Sequence, residues 1–282
     1  MQVNYQAIPR DLDVVRRAFI PKLEAFSFFD YVQVEPRLFA YFVSRLGDDT
    51  IASWYRQGRD VYREIAARVL AQPVDQVTDG ERQQGKVWFL MSLYGAGPKA
   101  IAAKTGMPLE EAKGFYREFH ERMPQIRLLS NPRPRSERAL RFWQPGAIER
   151  QLANRGYLTT PWGRRLHPEA GGEYKMLNKL VQATAADLMK LAVIHVHRWA
   201  RSNGLQSRIV LIVHDELMLD GTVAELPLLH EAVPGLMSRP DQVAAEINAV
   251  VPITVDHDVS DSNWAEKISY TDWLASYRGR AA

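Results

Sequence analysis

The segment Ile209–Val213 is wholly apolar, runs into His214-Asp215-Glu216, and turns apolar again from Leu217 to Leu219. Two apolar runs joined by a short polar break predict strands folded back on each other, with acidic residues at the turn. Upstream, "LEAFSFFDYVQVEPRLFAYFVS" alternates around Asp30 and then takes on helical spacing, which puts Asp30 near a strand end. From Gly47 to about Gly156 the pattern is mainly helical. One amphipathic stretch is "DDTIASWYRQGRDVYREIAARVL" and another is "VTDGERQQGKVWFLMSLYGAGP". The second opens on Thr78 with Glu81 three residues later, a capping-box start, and stops at Gly95, Gly97 and Pro98. Shorter helices follow in "KAIAAKTG" and "PLEEAKGFYREFHERMP", and "SNPRPRSERALRFWQPG" reads as a basic loop. "YLTTPWGRRLHP" predicts a β-turn unit, "YKMLNKLVQATAADLMKLAVIHVHRWA" a long helix, and "VPITVDHDVSDSNWAEK" a late strand and turn. The order strand, helical block, hairpin, helix, hairpin, strand predicts an α+β fold whose antiparallel sheet is interrupted by a helical subdomain.

Composition narrows the picture only a little. The 282 residues are 46% hydrophobic and 24% charged, in the range of a globular chain with a sizeable core. With 36 basic and 33 acidic residues the net charge is +3, so any surface for nucleic acid must be local. The absence of cysteine excludes disulfides and thiolate metal sites. No apolar signal-peptide core is visible, and no run approaches ~18 apolar residues, so a cytoplasmic protein without membrane contact is expected.

Candidate chemistry rests first on two carboxylates. Asp215 ends an apolar strand and Asp30 ends another, and carboxylates from neighbouring strands are the minimal protein contribution to a two-metal site. An isolated Asp-Glu also reads as a plain polar turn. The second candidate lies on the helix at about Asp79–Tyr94, where Arg82, Lys86, Leu90 and Tyr94 recur at every fourth position. Such a stripe suits a nucleotide laid along the helix, cations for phosphates and then flat groups for sugar and base. A solvated basic end running into a buried apolar end gives the same pattern.

Three motifs in order carry a resemblance. "DYVQVEPR" (Asp30–Arg37) is similar to motif A of the family A DNA polymerases, the bacterial DNA polymerase I type, usually D-Y-S-Q-I-E-L-R. "RQQGKVWFLMSLYG" keeps the motif B spacing R-x(3)-K-x(7)-Y-G, and "VHDELMLD" resembles motif C, V-H-D-E. "YQAIP", "VRRAFIP", "GRRL", "NKLVQATAADLMK" and "VPITVDHDVSDSNW" extend the likeness over nearly the whole chain.

The resemblance implies a polymerase palm with an antiparallel sheet, residues 1–46 and 161–282, and inserted fingers, residues 47–160. It implies template-directed addition of deoxynucleotides to a primer 3′-hydroxyl. Asp30 and Asp215, helped by the carbonyl of Tyr31, would bind two Mg²⁺ ions, with Mn²⁺ as an alternative, and Glu216 would be a nearby acidic partner. Arg82 and Lys86 would grip the triphosphate, Lys86 also protonating the leaving pyrophosphate. Leu90 and Tyr94 would face sugar and base, Glu35 would block a ribose 2′-hydroxyl, and Gln33 belongs to the same nucleotide-binding set. His214, Asn178, Gln182, Arg164 and Arg165 would contact primer-template DNA.

Departures accompany the match. Leu90 stands where motif B has an aromatic residue, Met91 where it has Gly, and Val32 replaces the Ser of motif A. Tyr174 replaces an Arg ahead of Asn178, with Lys175 beside it, and "DVY" at Asp60 replaces D-[IV]-H. The stretch around Ser130–Gly146, with Arg133, Arg135, Arg138 and Arg141, resembles an insertion that could grip a DNA backbone. The chain begins just before motif A, so the expectation is a core without the family's thumb and exonuclease, of low processivity unless a separate subunit supplies them, and of phage or mobile-element origin in a bacterial cell. Two other functions stay open: a catalytically inactive polymerase-like scaffold or DNA-binding subunit of a replication complex, and a helix-turn-helix module in "KAIAAKTGMPLEEAKGFYREF". His195 and His197, two apart on a helix, point to different sides and do not make a metal pair.

Overall fold

The computed structural model describes residues 13–131 and 144–281; "YQAIP" and the four arginines of the basic stretch lie outside them. The chain divides into two compact units. The first comprises Met1–Val34, Ala185–Ala249 and Ile253–Ala282, and the second Glu35–Thr184 with Val250–Pro252. Both boundaries drawn from the sequence, 46/47 and 160/161, fall within the second unit, so compact units and named subdomains are different partitions of the chain.

The first unit is built on a five-stranded antiparallel sheet. Its strands are β1 (Ala25–Tyr31), β4 (Arg208–Val213), β5 (Glu216–Gly221), β6 (Val255–Ser260) and β7 (Ile268–Ser269), in the order β4-β5-β1-β6-β7. The apolar run of β1 makes it the central strand, buried on both faces except at Asp30. On one face Phe26 and Phe28 pack with Met218 and Trp264. On the other, Phe29 stacks on His257, with ring centroids 4.2 Å apart. His257 and His230 approach through their Nδ1 atoms at 3.1 Å, under the Tyr270 ring. Burial first, and then His230, pushes the His257 imidazole down to about 3, so it is neutral in this core. The Asp220 carboxylate accepts the backbone N–H groups of Lys22 and Leu23 and so fixes the approach to β1. The hairpin β4-β5 forms as the sequence predicts, as do the strand ending near Asp30 and the late strand β6. The helices Leu226–Ser238 and Gln242–Val250 between β5 and β6 carry the chain back to the sheet.

The second unit is mainly helical. After α1 (Asp13–Arg17) in the first unit, α2 (Val34–Ser44) leads into α3 (Thr50–Arg56), α4 (Val61–Leu70), α5 (Asp79–Leu93), α6 (Pro98–Thr105) and α7 (Leu109–Arg122). The start of α5 is the expected capping box: Thr78 Oγ1 accepts the Glu81 N–H, and Glu81 accepts the Thr78 N–H at 2.8 Å. Helices α4 and α5 lie close because α5 carries Gly85, where a Cβ would stand 2.6 Å from the Tyr62 carbonyl oxygen. Trp88 packs on Phe115, centroids 5.0 Å apart. The turn unit is the ribbon β2 (Leu158–Thr159) and β3 (Arg165–Leu166), and the long helix spans Met176–Ser202.

Candidate active site

The sequence-predicted residues fall into two groups, one in each compact unit. In the sheet unit, Asp30 is the last outward residue of the face that carries Phe26 and Phe28. Register places Asp30 opposite Glu216 on β5 and opposite Asp256 on β6, so three carboxylates form a row across the strand ends. Directly paired residues of an antiparallel ladder share a face, and like charges so placed repel. A cation reduces that cost: Lys267 pairs with the Glu216 carboxylate, lies 3.5 Å from Asp258, and sits 5.2 Å over the Phe28 ring. Sequence patterning did not single out Lys267, because only the fold brings it from the turn before β7 to β5. Glu216 is therefore engaged by an ammonium group.

Asp215 follows a tight turn. His214 and Asp215 are the two residues between β4 and β5, and His214 adopts φ 57° while Asp215 stays out of the left-handed region. A positive φ at the first of two hairpin residues is the pattern of a type II′ turn, where glycine is usual. Holding a histidine there costs on the order of 1–3 kcal/mol. The turn is tied to β1, because the Tyr31 N–H donates to the Asp215 carbonyl at 3.2 Å. On the far side the Val32 N–H donates to Thr254 at 3.0 Å, and the buried Tyr31 hydroxyl donates to the Met237 carbonyl at 2.7 Å. Gln33, which joins β1 to α2, is a second non-glycine residue at positive φ, 53°. Two of the three such residues among those described thus lie in the predicted motifs.

In the helical unit, Arg82 and Lys86 project from one face of α5. The Arg82 Nε lies 2.5 Å from the Asp60 carboxylate, which also caps α4 by accepting the Arg63 N–H at 3.1 Å. The Tyr94 hydroxyl, at the end of α5, donates to Glu35 at 2.9 Å. Leu90 is half-buried on the same stripe. Tyr94 also lines a cleft of about 470 Å³ with Tyr174, Lys175, Asn178, Lys179 and Gln182. The fold thus gathers three of the predicted residues there: Tyr94, Asn178 and Gln182. It also sets Tyr174 against the end of α5, where a Cβ on Gly95 would stand 2.8 Å from the Tyr174 carbonyl oxygen. Arg164 and Arg165 are exposed near β3; Arg164 donates to the Ala183 carbonyl and Arg165 lies 4.9 Å over the Tyr157 ring.

No three His, Asp or Glu side chains converge as a ready-made metal cage among the described residues. The predicted donors at the sheet end, the Asp30 and Asp215 carboxylates and the Tyr31 carbonyl, are all hard oxygens. That set fits Mg²⁺, which keeps several waters and takes one or two protein carboxylates together with substrate phosphates. Among the described residues no helix is long and apolar enough to cross a membrane.

Comparison with known proteins bears on the family and the fold. The family described as DNA polymerase family A matches residues 1–266. A DNA polymerase I of Pseudomonas aeruginosa is 30% identical over 263 residues, covering 89% of this chain and 26% of the relative. One of Bacillus caldotenax is 28% identical over 267 residues, covering 93% of this chain and 29% of the relative. The chain therefore spans between a quarter and a third of the length of these relatives. Among solved structures, the POL domain of Pol1 from M. smegmatis, in complex with DNA primer-template and dNTP, matches with a TM-score of 0.74 at 26% identity. That match covers 93% of this chain and 44% of the other.

Proposed function

The chain belongs to DNA polymerase family A, and from that premise we propose that it is a template-directed DNA polymerase core that adds deoxynucleotides to a primer 3′-hydroxyl. The observation that carries the reading is the sheet end, where the Tyr31–Asp215 backbone bond ties the turn bearing Asp215 to the strand bearing Asp30. The sheet unit is read as palm, and the helices around α5 as fingers.

Asp30 and Asp215, with the Tyr31 carbonyl, would hold two divalent ions, Mg²⁺ or Mn²⁺. Bound there, such ions supply charge neutralisation to the attacking and leaving oxygens of an in-line phosphoryl transfer. Glu216 would keep Lys267 in place, and the Lys267 ammonium would temper the charge of the carboxylate row. Arg82 and Lys86 supply paired cations for the triphosphate, and Lys86 can give a proton to the departing pyrophosphate oxygen. Glu35, which accepts a bond from the Tyr94 hydroxyl, would crowd a ribose 2′-hydroxyl. The cleft of Tyr94, Asn178 and Gln182 offers flat and amide groups to a base pair and its minor-groove edge. Lys175 and Lys179, which line the same cleft, would suit a phosphate backbone.

The test is primer extension by the purified protein on a gapped template with Mg²⁺, with Asp30→Ala as control. Incorporation by the wild type and none by the variant is the expected result. A wild type that binds DNA but incorporates nothing supports the inactive scaffold reading instead.

A further inference from the structure

Tyr62 stands beside two cations of the helical unit, although it belongs to no motif that assigns it a role. It is the third residue of "DVY", where the family's pattern ends in histidine. The residue is 4% exposed. The Arg82 guanidinium carbon lies 5.7 Å from the ring centroid, and the Lys86 ammonium lies 5.8 Å from it. Both cations are thus within the ~6 Å at which a ring quadrupole attracts positive charge. Gly85 sits between them on α5, and its missing side chain lets the Tyr62 backbone come up against the helix. Arg82 and Lys86 are like charges four residues apart on one helix, a pairing that repels. Of the two cations, Arg82 bonds the Asp60 carboxylate. The shared ring is the feature that serves both.

The geometry points to Tyr62 as the positioning residue of the phosphate grip: its ring face holds Arg82 and Lys86 side by side, so that a nucleoside triphosphate meets two cations already aligned. This rests on the polymerase reading for the identity of the ligand. The ring keeps its neutral face across the working range, because burial pushes its hydroxyl up to about 12, with Asp60, Glu35 and Tyr94 adding to the rise and Arg82 opposing it. Pre-alignment acts on ground-state binding of the phosphates, so its loss should fall on KM more than on kcat.

The experiment uses the full chain and two readouts, steady-state dNTP kinetics in primer extension and calorimetric titration with inorganic tripolyphosphate. Tyr62→Phe keeps the ring face and should stay within about twofold of wild type on both. Tyr62→Leu should raise dNTP KM and the tripolyphosphate Kd by roughly 5- to 30-fold, with kcat changed by less than about threefold. In case the leucine variant fails to fold, phenylalanines carrying successive ring fluorines at position 62 keep the shape while draining the negative face. Tripolyphosphate affinity should then fall with each fluorine. An affinity that stays flat across that series, a Phe variant as weak as Leu, or a wild type that does not bind tripolyphosphate overturns the inference. A wild type that binds tripolyphosphate yet extends no primer overturns the polymerase reading, and the fluorine series still decides the role of Tyr62.

Discussion

The carboxylate end of the sheet and the cation face of α5 are held in place by different means. At the sheet end the frame is backbone: the Asp30 register with Glu216 and Asp256 and the Tyr31–Asp215 bond fix where each side chain starts. On α5 the frame is side chain against side chain, with Arg82 on Asp60, both cations on Tyr62, and Tyr94 on Glu35. The first arrangement survives loss of a functional group, because ladders do not depend on what the side chain carries. The second does not, because each group is also its neighbour's support. On the proposed reading, carboxylates that meet at one place would profit from a rigid ladder. Cations that follow a flexible triphosphate would profit from partners they can exchange.

The sharpest way to break this contrast is to neutralise carboxylates. On the proposed reading, Asp215→Asn should reduce primer extension by more than about 10³-fold, since it would remove charge from the reacting centre. Its melting temperature should hold within a few degrees, because Asp215 lies in the turn beside the row of like charges and not within it. Glu216→Gln should cost only about tenfold, as its carboxylate already faces Lys267 rather than standing open. Equal losses in the two variants, measured by single-turnover extension, would show that Glu216 is a metal ligand and that the ladder does not sort these roles.

The same contrast explains what was legible in the sequence. Alternation around Asp30 and the apolar runs around His214-Asp215 gave β1, β4 and β5, and Thr78 with Glu81 gave the start of α5, because these signals are local. The ordered motifs named the residues of both regions. What connects them was not legible. Lys267 reaches Glu216 across 51 residues of sequence, and only sheet order decides that. Tyr62 reads as one more apolar position of an amphipathic helix until the α4–α5 approach at Gly85 sets its ring beside Arg82 and Lys86. The positive φ of His214 and Gln33 is likewise invisible in composition, since neither residue is glycine.

A smaller effect is expected where the side-chain frame meets the backbone. Gly85→Ala puts a methyl 2.6 Å from the Tyr62 carbonyl oxygen and 3.0 Å from the Ala66 Cβ, so α4 and α5 must part. Overpacking of this kind costs about 1–3 kcal/mol, despite alanine's better helix propensity. Thermal melting should show the loss, and dNTP KM should rise with it because the ring moves away from both cations. If stability falls and KM does not, the cations do not need the ring held at that spacing, and the α5 region is better described as a rigid frame like the sheet.

The smallest effect belongs to the edge of the α5 region. Tyr94→Phe removes one hydroxyl, whose bond to Glu35 spans 2.9 Å at a position 44% exposed. Water can replace that donor, so the loss in stability should stay below about 1 kcal/mol. The consequence for chemistry is more specific. Without the hydroxyl, Glu35 is free to rotate and the space it crowds opens, while the phenyl ring still lines the cleft with Asn178 and Gln182. Incorporation of dNTP should change by only a few-fold, whereas the ratio of rNTP to dNTP incorporation should rise more than either rate alone. Competition between the two nucleotides on one primer measures that ratio directly. An unchanged ratio would mean that Glu35 is held by its helix rather than by Tyr94, which would move this one residue from the side-chain frame to the backbone frame.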